Sequence, residues 1–161
     1  TTLFRSCCPS PFDSYLMTLG LETLSLRVRH EVESARRLAE YCRNHPKVER
    51  VSFVGFESHP SYANAKKYFR FGSSAVFTIE LKGTLDSTVR FVESLNLAAH
   101  MVMIGDSVTV VTHPASTTHK QLSDADLAAA GVTPTMLRIS VGLENTDDLI
   151  DDFEQAFAHI G

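Results

Sequence analysis

The clearest periodicity in the chain lies in its first quarter. Val28, Val32, Ala35, Leu38, Ala39 and Cys42 recur at steps of three and four. Arg29, Glu33, Arg36, Arg37, Glu40 and Arg43 take the opposite side. That spacing is the signature of an amphipathic helix. It predicts one long helix over 11–44, with a bend at Gly20 and a stop at Asn44-His45-Pro46. Lys47 to Val54 reads as a strand ended by Gly55, and Pro60 to Phe69 as a short helix opening on a proline. Ser74 to Leu81 alternates, with Ala75, Phe77, Ile79 and Leu81 on one face and Val76, Thr78 and Glu80 on the other. Thr84 caps a helix with the stripe Leu85, Val89, Val92 and Leu95. Val108 to Thr112 alternates again, Ser123 caps a short helix ending at Gly131, and Met136 to Val141 is a further strong strand. Asn145 or Thr146 caps the last helix, whose stripe is Ile150, Phe153, Phe157 and Ile160. Its first turn holds Asp147 and Asp148, at the positive end of the helix. Strands alternating with one-sided helices predict an α/β (α+β) sandwich, a small sheet of about four strands covered by helices.

Length and composition narrow the class. A chain of 161 residues is one domain, or one with a small appendage, and can bury most of a proper core. The net charge of −4, with no long run of one sign, gives no footing for nucleic acid or an anionic membrane. No apolar run approaches the roughly 20 residues that span a bilayer, and residues 1–9 do not form a signal peptide. Three cysteines, two of them adjacent (Cys7 and Cys8), make no disulfide framework. Cys42 falls on the helix's apolar face as a free thiol. A reducing cytoplasm is the expected compartment. Thr1 opens the chain without an initiator Met, which suggests a piece of a longer protein.

Two places could carry chemistry. The first is Thr112-His113-Pro114-Ala115-Ser116-Thr117-Thr118-His119, in which two histidines flank three hydroxyl residues. As metal ligands the histidines lack an acidic or cysteine partner nearby, and Pro114 holds His113 extended. As a nucleophile, Ser116 or Thr117 would need a base and an orienting carboxylate, and no G-x-S-x-G elbow is present. A polar loop with a packed His113 is the plainer expectation. The second place is Arg138. Leu137, Ile139 and Val141 share one face of their strand, and Arg138 and Ser140 share the other. An arginine in mid-strand must find an anion or a solvated edge. Its planar fork suits a carboxylate bidentately. A structural ion pair and a ligand site both remain open on this ground alone. Neither G-x-G-x-x-G nor G-x-x-x-x-G-K-[ST] occurs, so there is no nucleotide fingerprint.

Several spaced segments add a resemblance. Ser10 to His30 (SPFDSYLMTLGLETLSLRVRH), His45 to Phe69 (HPKVERVSFVGFESHPSYANAKKYF), THPASTTHKQL and Ala129 to Ala156 (AAGVTPTMLRISVGLENTDDLIDDFEQA) occur in order. Together they resemble the C-terminal part of the Cys/Met-metabolism, pyridoxal-phosphate-dependent trans-sulfuration enzymes. The pattern of Gly105-Asp106, HPASTTHxQL and AAGV is most similar to the O-acetylhomoserine sulfhydrylase branch. Cystathionine γ-synthases and γ-lyases and methionine γ-lyases share the same ending.

The resemblance implies a fold like the C-terminal small domain of fold-type I transferases. It divides the chain into a leader remnant over 1–10, an interdomain helix over 11–44 and a small domain over 45–161. Arg138 would hold the α-carboxylate of the amino-acid substrate. Thr109 would correspond to a family serine near that carboxylate. His113, Pro114, Ser116 and Thr117 would form a loop facing the cleft between domains. The cofactor lysine, the aspartate beneath the pyridine ring and most phosphate contacts would lie in a larger upstream domain or a neighbouring subunit. The 161-residue chain alone is then expected to be inactive, a part of a homotetrameric parent that converts O-acetylhomoserine and sulfide to homocysteine and acetate. The other class that the residues allow is a non-catalytic module that binds a small anion or amino acid through Arg138.

Overall fold

Strand alternation organises the molecule. In the computed structural model, which describes residues 8–160, Phe77, Ile79 and Leu81 of β2 (Val76–Leu81) are buried, and the residues between them are only half-buried. Leu137 and Ile139 of β5 (Met136–Ser140) do the same beside them. Five strands form one sheet in the order β1-β2-β5-β4-β3. β1 (Val48–Ser52), β2, β5 and β4 (Val110–Thr112) pair antiparallel, and β3 (Ala99–His100) lies parallel to β4 at the edge. β3 is the fifth strand, beyond the expected four. It has only two residues and so carries no alternation to read.

The core lies between one sheet face and three helices. α2 (Leu24–Asn44), α4 (Leu85–Glu93) and α6 (Thr146–Ala158) supply Ala35, Leu38, Ala39, Cys42, Phe91, Leu149, Phe153 and Phe157. Phe91, Phe153 and Phe157 pack edge-on and tilted. α6 is capped as its sequence requires, with the Asn145 side chain accepting from Asp147 N at 2.9 Å. At its other end the Lys47 ammonium donates to Phe157 O at 2.7 Å and also to Ile160 O, which satisfies orphan carbonyls at the negative pole. The remaining helices are α1 (Pro11–Glu22), α3 (Tyr62–Tyr68) and α5 (Asp124–Ala129).

Three expectations change. The single helix over 11–44 is two, and the break is at Thr23 rather than Gly20. Gly20 stays inside α1, and its carbonyl accepts from Arg27 Nη2 at 3.0 Å. The apolar face of α2 becomes buried only near Ala35; Val28 is exposed, and Glu31 and Ser34 are buried on the covered side. Burial raises the Glu31 pKa above the ordinary carboxylate value. In α4 the stripe is shifted, so that Phe91 is buried and Leu85 is exposed. Part of the expected 1–10 leader, Cys7 included, lies outside the described residues. Cys8 is exposed, and Cys42 is buried with its thiol pKa pushed up by desolvation.

α1 buries nothing. Phe12, Met17 and Leu26, at its start, middle and just beyond it, are 66%, 62% and 66% exposed. Tyr15, Leu16, Leu19, Leu21 and Leu24 extend the same apolar surface. Exposed apolar side chains in such number are the kind of surface found at interfaces.

Candidate substrate-carboxylate site

The helices cover one face of the sheet, and Arg138 stands on the other. Register fixes its neighbours: Thr78 on β2 and Thr112 on β4 lie directly across from it. Val110 is likewise opposite Ser140, so Val110, Thr112, Arg138 and Ser140 share this face. Arg138 Nη2 donates to Thr112 Oγ1 at 3.3 Å. Its Nε is buried and has no hydrogen-bond partner. Among the described residues Arg138 makes no ion pair, although Arg36, Arg37 and Arg50 each do. A half-buried guanidinium with an enclosed, unsatisfied donor and no anion can take an anion from outside. The geometry fits a planar carboxylate, which accepts from two adjacent N–H groups of the fork.

Thr109, expected near the substrate carboxylate, is hydrogen-bonded within the chain. It lies just before β4. Its N–H and its hydroxyl donate to the two Glu144 carboxylate oxygens, each at 2.7 Å. The same hydroxyl accepts from Gly142 N at 2.9 Å. Thr109 therefore fastens the turn after β5, and its one hydroxyl proton is engaged by Glu144. Gly142 is the tight point of this clasp. A Cβ there would lie 2.5 Å from Ser107 O and 2.6 Å from Thr109 N. The hydroxyl beside the fork is that of Thr112, which sequence reasoning missed. Its only sequence signal was its position in an alternating strand, and the face depends on a register that is set by β5.

The histidine loop is ordered by its own hydrogen bonds. His113 is extended before Pro114, and residues Pro114–Ser116 form a 3-10 turn. Its side chain is buried; Nε2 donates to Pro134 O at 2.8 Å, and Nδ1 accepts from Ser116 Oγ at 2.8 Å. Desolvation holds the imidazole below its ordinary pKa, so it stays neutral. A proton taken from Ser116 would create a buried imidazolium with no carboxylate beside it. That makes His113 a poor base and Ser116 a poor nucleophile. Thr117 Oγ1 donates to His113 O at 2.7 Å, and Thr118 bonds His119 Nδ1 at 2.8 Å. Among the described residues no group of three or more His, Cys, Asp or Glu is placed to hold a metal, and no helix is long and apolar enough to cross a membrane.

Cavities of about 400 Å³ beside Lys66 and Arg70 and about 410 Å³ beside Phe53 and His59 are not lined by Arg138. Residues 5–158 match the family of Cys/Met metabolism PLP-dependent enzymes. The chain belongs to that family. It is 46% identical over 147 residues to a homocysteine synthase of Schizosaccharomyces pombe, covering 91% of this chain and 34% of the relative. It is 43% identical over 148 residues to O-acetyl-L-homoserine sulfhydrylase 1 of Thermus thermophilus, covering 92% of this chain and 35% of the relative. A Campylobacter jejuni crystal structure described as an O-acetylhomoserine (thiol)-lyase superposes with a TM-score of 0.88 at 35% identity, covering 98% of this chain and 38% of that one. That structure carries a pyridoxyl-lysine phosphate at its position 205. The chain thus spans 34% and 35% of the length of these two sequence relatives. The family's cofactor is pyridoxal phosphate.

The free donors of Arg138 are compatible with the carboxylate of an amino acid bound in such an enzyme. Pyridoxal phosphate, when bound, supplies an electron sink for charge that develops at the amino acid's Cα. Lys47 is engaged at the end of α6, and Lys66 and Lys67 lie over the rings of Tyr62 and Tyr68.

Proposed function

We propose that this chain is the C-terminal, substrate-carboxylate-binding domain of an O-acetylhomoserine sulfhydrylase. The parent enzyme would replace the γ-acetoxy group of O-acetylhomoserine with sulfide, giving homocysteine and acetate. The observation that carries the site is the unpartnered, buried Nε of Arg138 on the sheet face opposite the helices. The fork holds the substrate carboxylate and so fixes the orientation of the bonds at Cα, a positioning effect. Thr112 accepts from one side of the fork. Gly142 and Glu144 hold the turn that ends the arginine's strand against residues 107–109.

The domain division over 1–10, 11–44 and 45–161 belongs to this reading. The apolar surface of α1 and the start of α2 packs on a larger upstream domain of the same polypeptide, which carries the cofactor lysine. The 161-residue chain alone is inactive, and the parent assembles as a homotetramer in the cytoplasm. The relatives' names support sulfide as the second substrate. The coding sequence upstream of Thr1 tests the division: a lysine-bearing cofactor domain supports it, and a start codon directly before Thr1 contradicts it. Assays of the full-length protein with sulfide, cysteine and cystathionine then separate a sulfhydrylase from a γ-synthase or γ-lyase.

A further inference from the structure

The Thr112 hydroxyl has a defined direction. Its Oγ1 donates to Met101 O at 2.7 Å. A hydroxyl carries one proton. With that proton engaged, the oxygen faces Arg138 Nη2 as an acceptor only. Met101 opens the segment that leaves β3 and leads to β4. The segment touches the arginine's face again at Gly105, whose N–H donates to Ser140 Oγ at 3.2 Å. Ser140 shares that face with Arg138. Two hydroxyls therefore fasten one loop beside the fork. Met101, Val102, Met103 and Ile104 of this loop are exposed.

We propose that Thr112 is the positioning residue of the Arg138 fork, and that through Met101 O it ties the direction of the fork to the placement of the 101–107 loop. The proposal rests on Arg138 as the carboxylate binder. Thr112 itself acts only through Arg138. A threonine hydroxyl oriented by a backbone carbonyl gives the fork one fixed contact, so the remaining N–H groups present one geometry to a carboxylate.

The test uses the full-length enzyme with O-acetylhomoserine. Thr112→Val removes the hydroxyl and keeps the branched shape; Thr112→Ser keeps the hydroxyl. Thr112→Val raises KM about tenfold, the loss of one hydrogen bond to a charged group, while kcat changes less than about twofold. Thr112→Ser stays within about twofold of the parent in both constants. A merely structural role would lower the thermal midpoint and leave KM unchanged. An unchanged KM in Thr112→Val, or equal effects of Val and Ser, overturns the proposal. Arg138→Ala, assayed beside them, separates the readings: if it too leaves KM unchanged, the carboxylate assignment itself fails. If Thr112→Val does not fold, Thr112→Ala replaces it. The Arg138 Nε–H resonance of the 161-residue chain supplies a second readout. It is expected to be sharp in the parent and in Thr112→Ser but broadened without the hydroxyl, and an unchanged resonance contradicts the proposal.

Discussion

Arg138→Met in the 161-residue chain separates a ligand-binding arginine from a structural one, because the two predict opposite signs. In the structure the guanidinium makes a hydrogen bond to Thr112 and leaves its buried Nε without a partner. Loss of one bond of this kind costs about 1 kcal/mol, and removing a buried unsatisfied donor returns about 1–3 kcal/mol. Methionine keeps much of the apolar stem. The net expectation is unchanged stability or a gain of about 1 kcal/mol. A structural partner would behave differently: breaking a buried ion pair costs about 3–5 kcal/mol. Urea unfolding reads the difference directly. With a slope of about 2 kcal/mol/M, the midpoint should hold or rise by about 0.5 M. A fall of about 1.5 M would refute the ligand reading. In the full-length enzyme the same substitution should reduce kcat/KM about a hundredfold, about 2.7 kcal/mol, by loss of the charge-assisted fork.

Three further substitutions test the supports of the site. Gly142→Ala places a Cβ against the backbone of Ser107–Thr109 and should lower stability by about 3 kcal/mol, measured by the same urea titration. Asp152→Asn should lose about 2 kcal/mol, because the carboxylate accepts from Asn96 N, Leu97 N and Ala98 N and an amide presents a donor to at least one of them. His113 is held below its ordinary pKa in the folded chain, so the unfolded chain binds more protons as the solution is acidified. Its contribution is complete above the unfolded value and is lost as pH falls through the folded one. Unfolding midpoints between about pH 7 and about pH 5 should therefore decline less steeply in His113→Gln than in the parent.

What could be read in advance depended on local period. Leu137, Ile139 and Val141 alternate with Arg138 in the sequence, and so the arginine's separation from the core was legible without a structure. Phe153, Phe157 and Ile160 were legible in the same way. Contacts set by pairing partners far along the chain were not. Thr109 and Thr112 both look like strand hydroxyls; only the match of Thr112 with Arg138 and the ring of Glu144 and Gly142 around Thr109 assign them. Asp152 looks like one more acid on the polar side of an amphipathic helix, yet it is buried because three backbone N–H groups converge on it. The apolar side chains of α1 are exposed along its whole length, and none of its residues is buried. Sequence alone does not say which surface covers them.

That this chain supplies substrate recognition, while another part of the enzyme supplies the cofactor lysine, is open to one direct measurement. The purified 161-residue chain is mixed with pyridoxal phosphate, treated with borohydride, freed of excess reagent and examined by absorption and peptide mass. No stoichiometric label on any lysine is the expected result. A stoichiometric label on a single lysine, with Lys120 beside the histidine loop as the first to inspect, would place a cofactor site within this chain and contradict the division of roles.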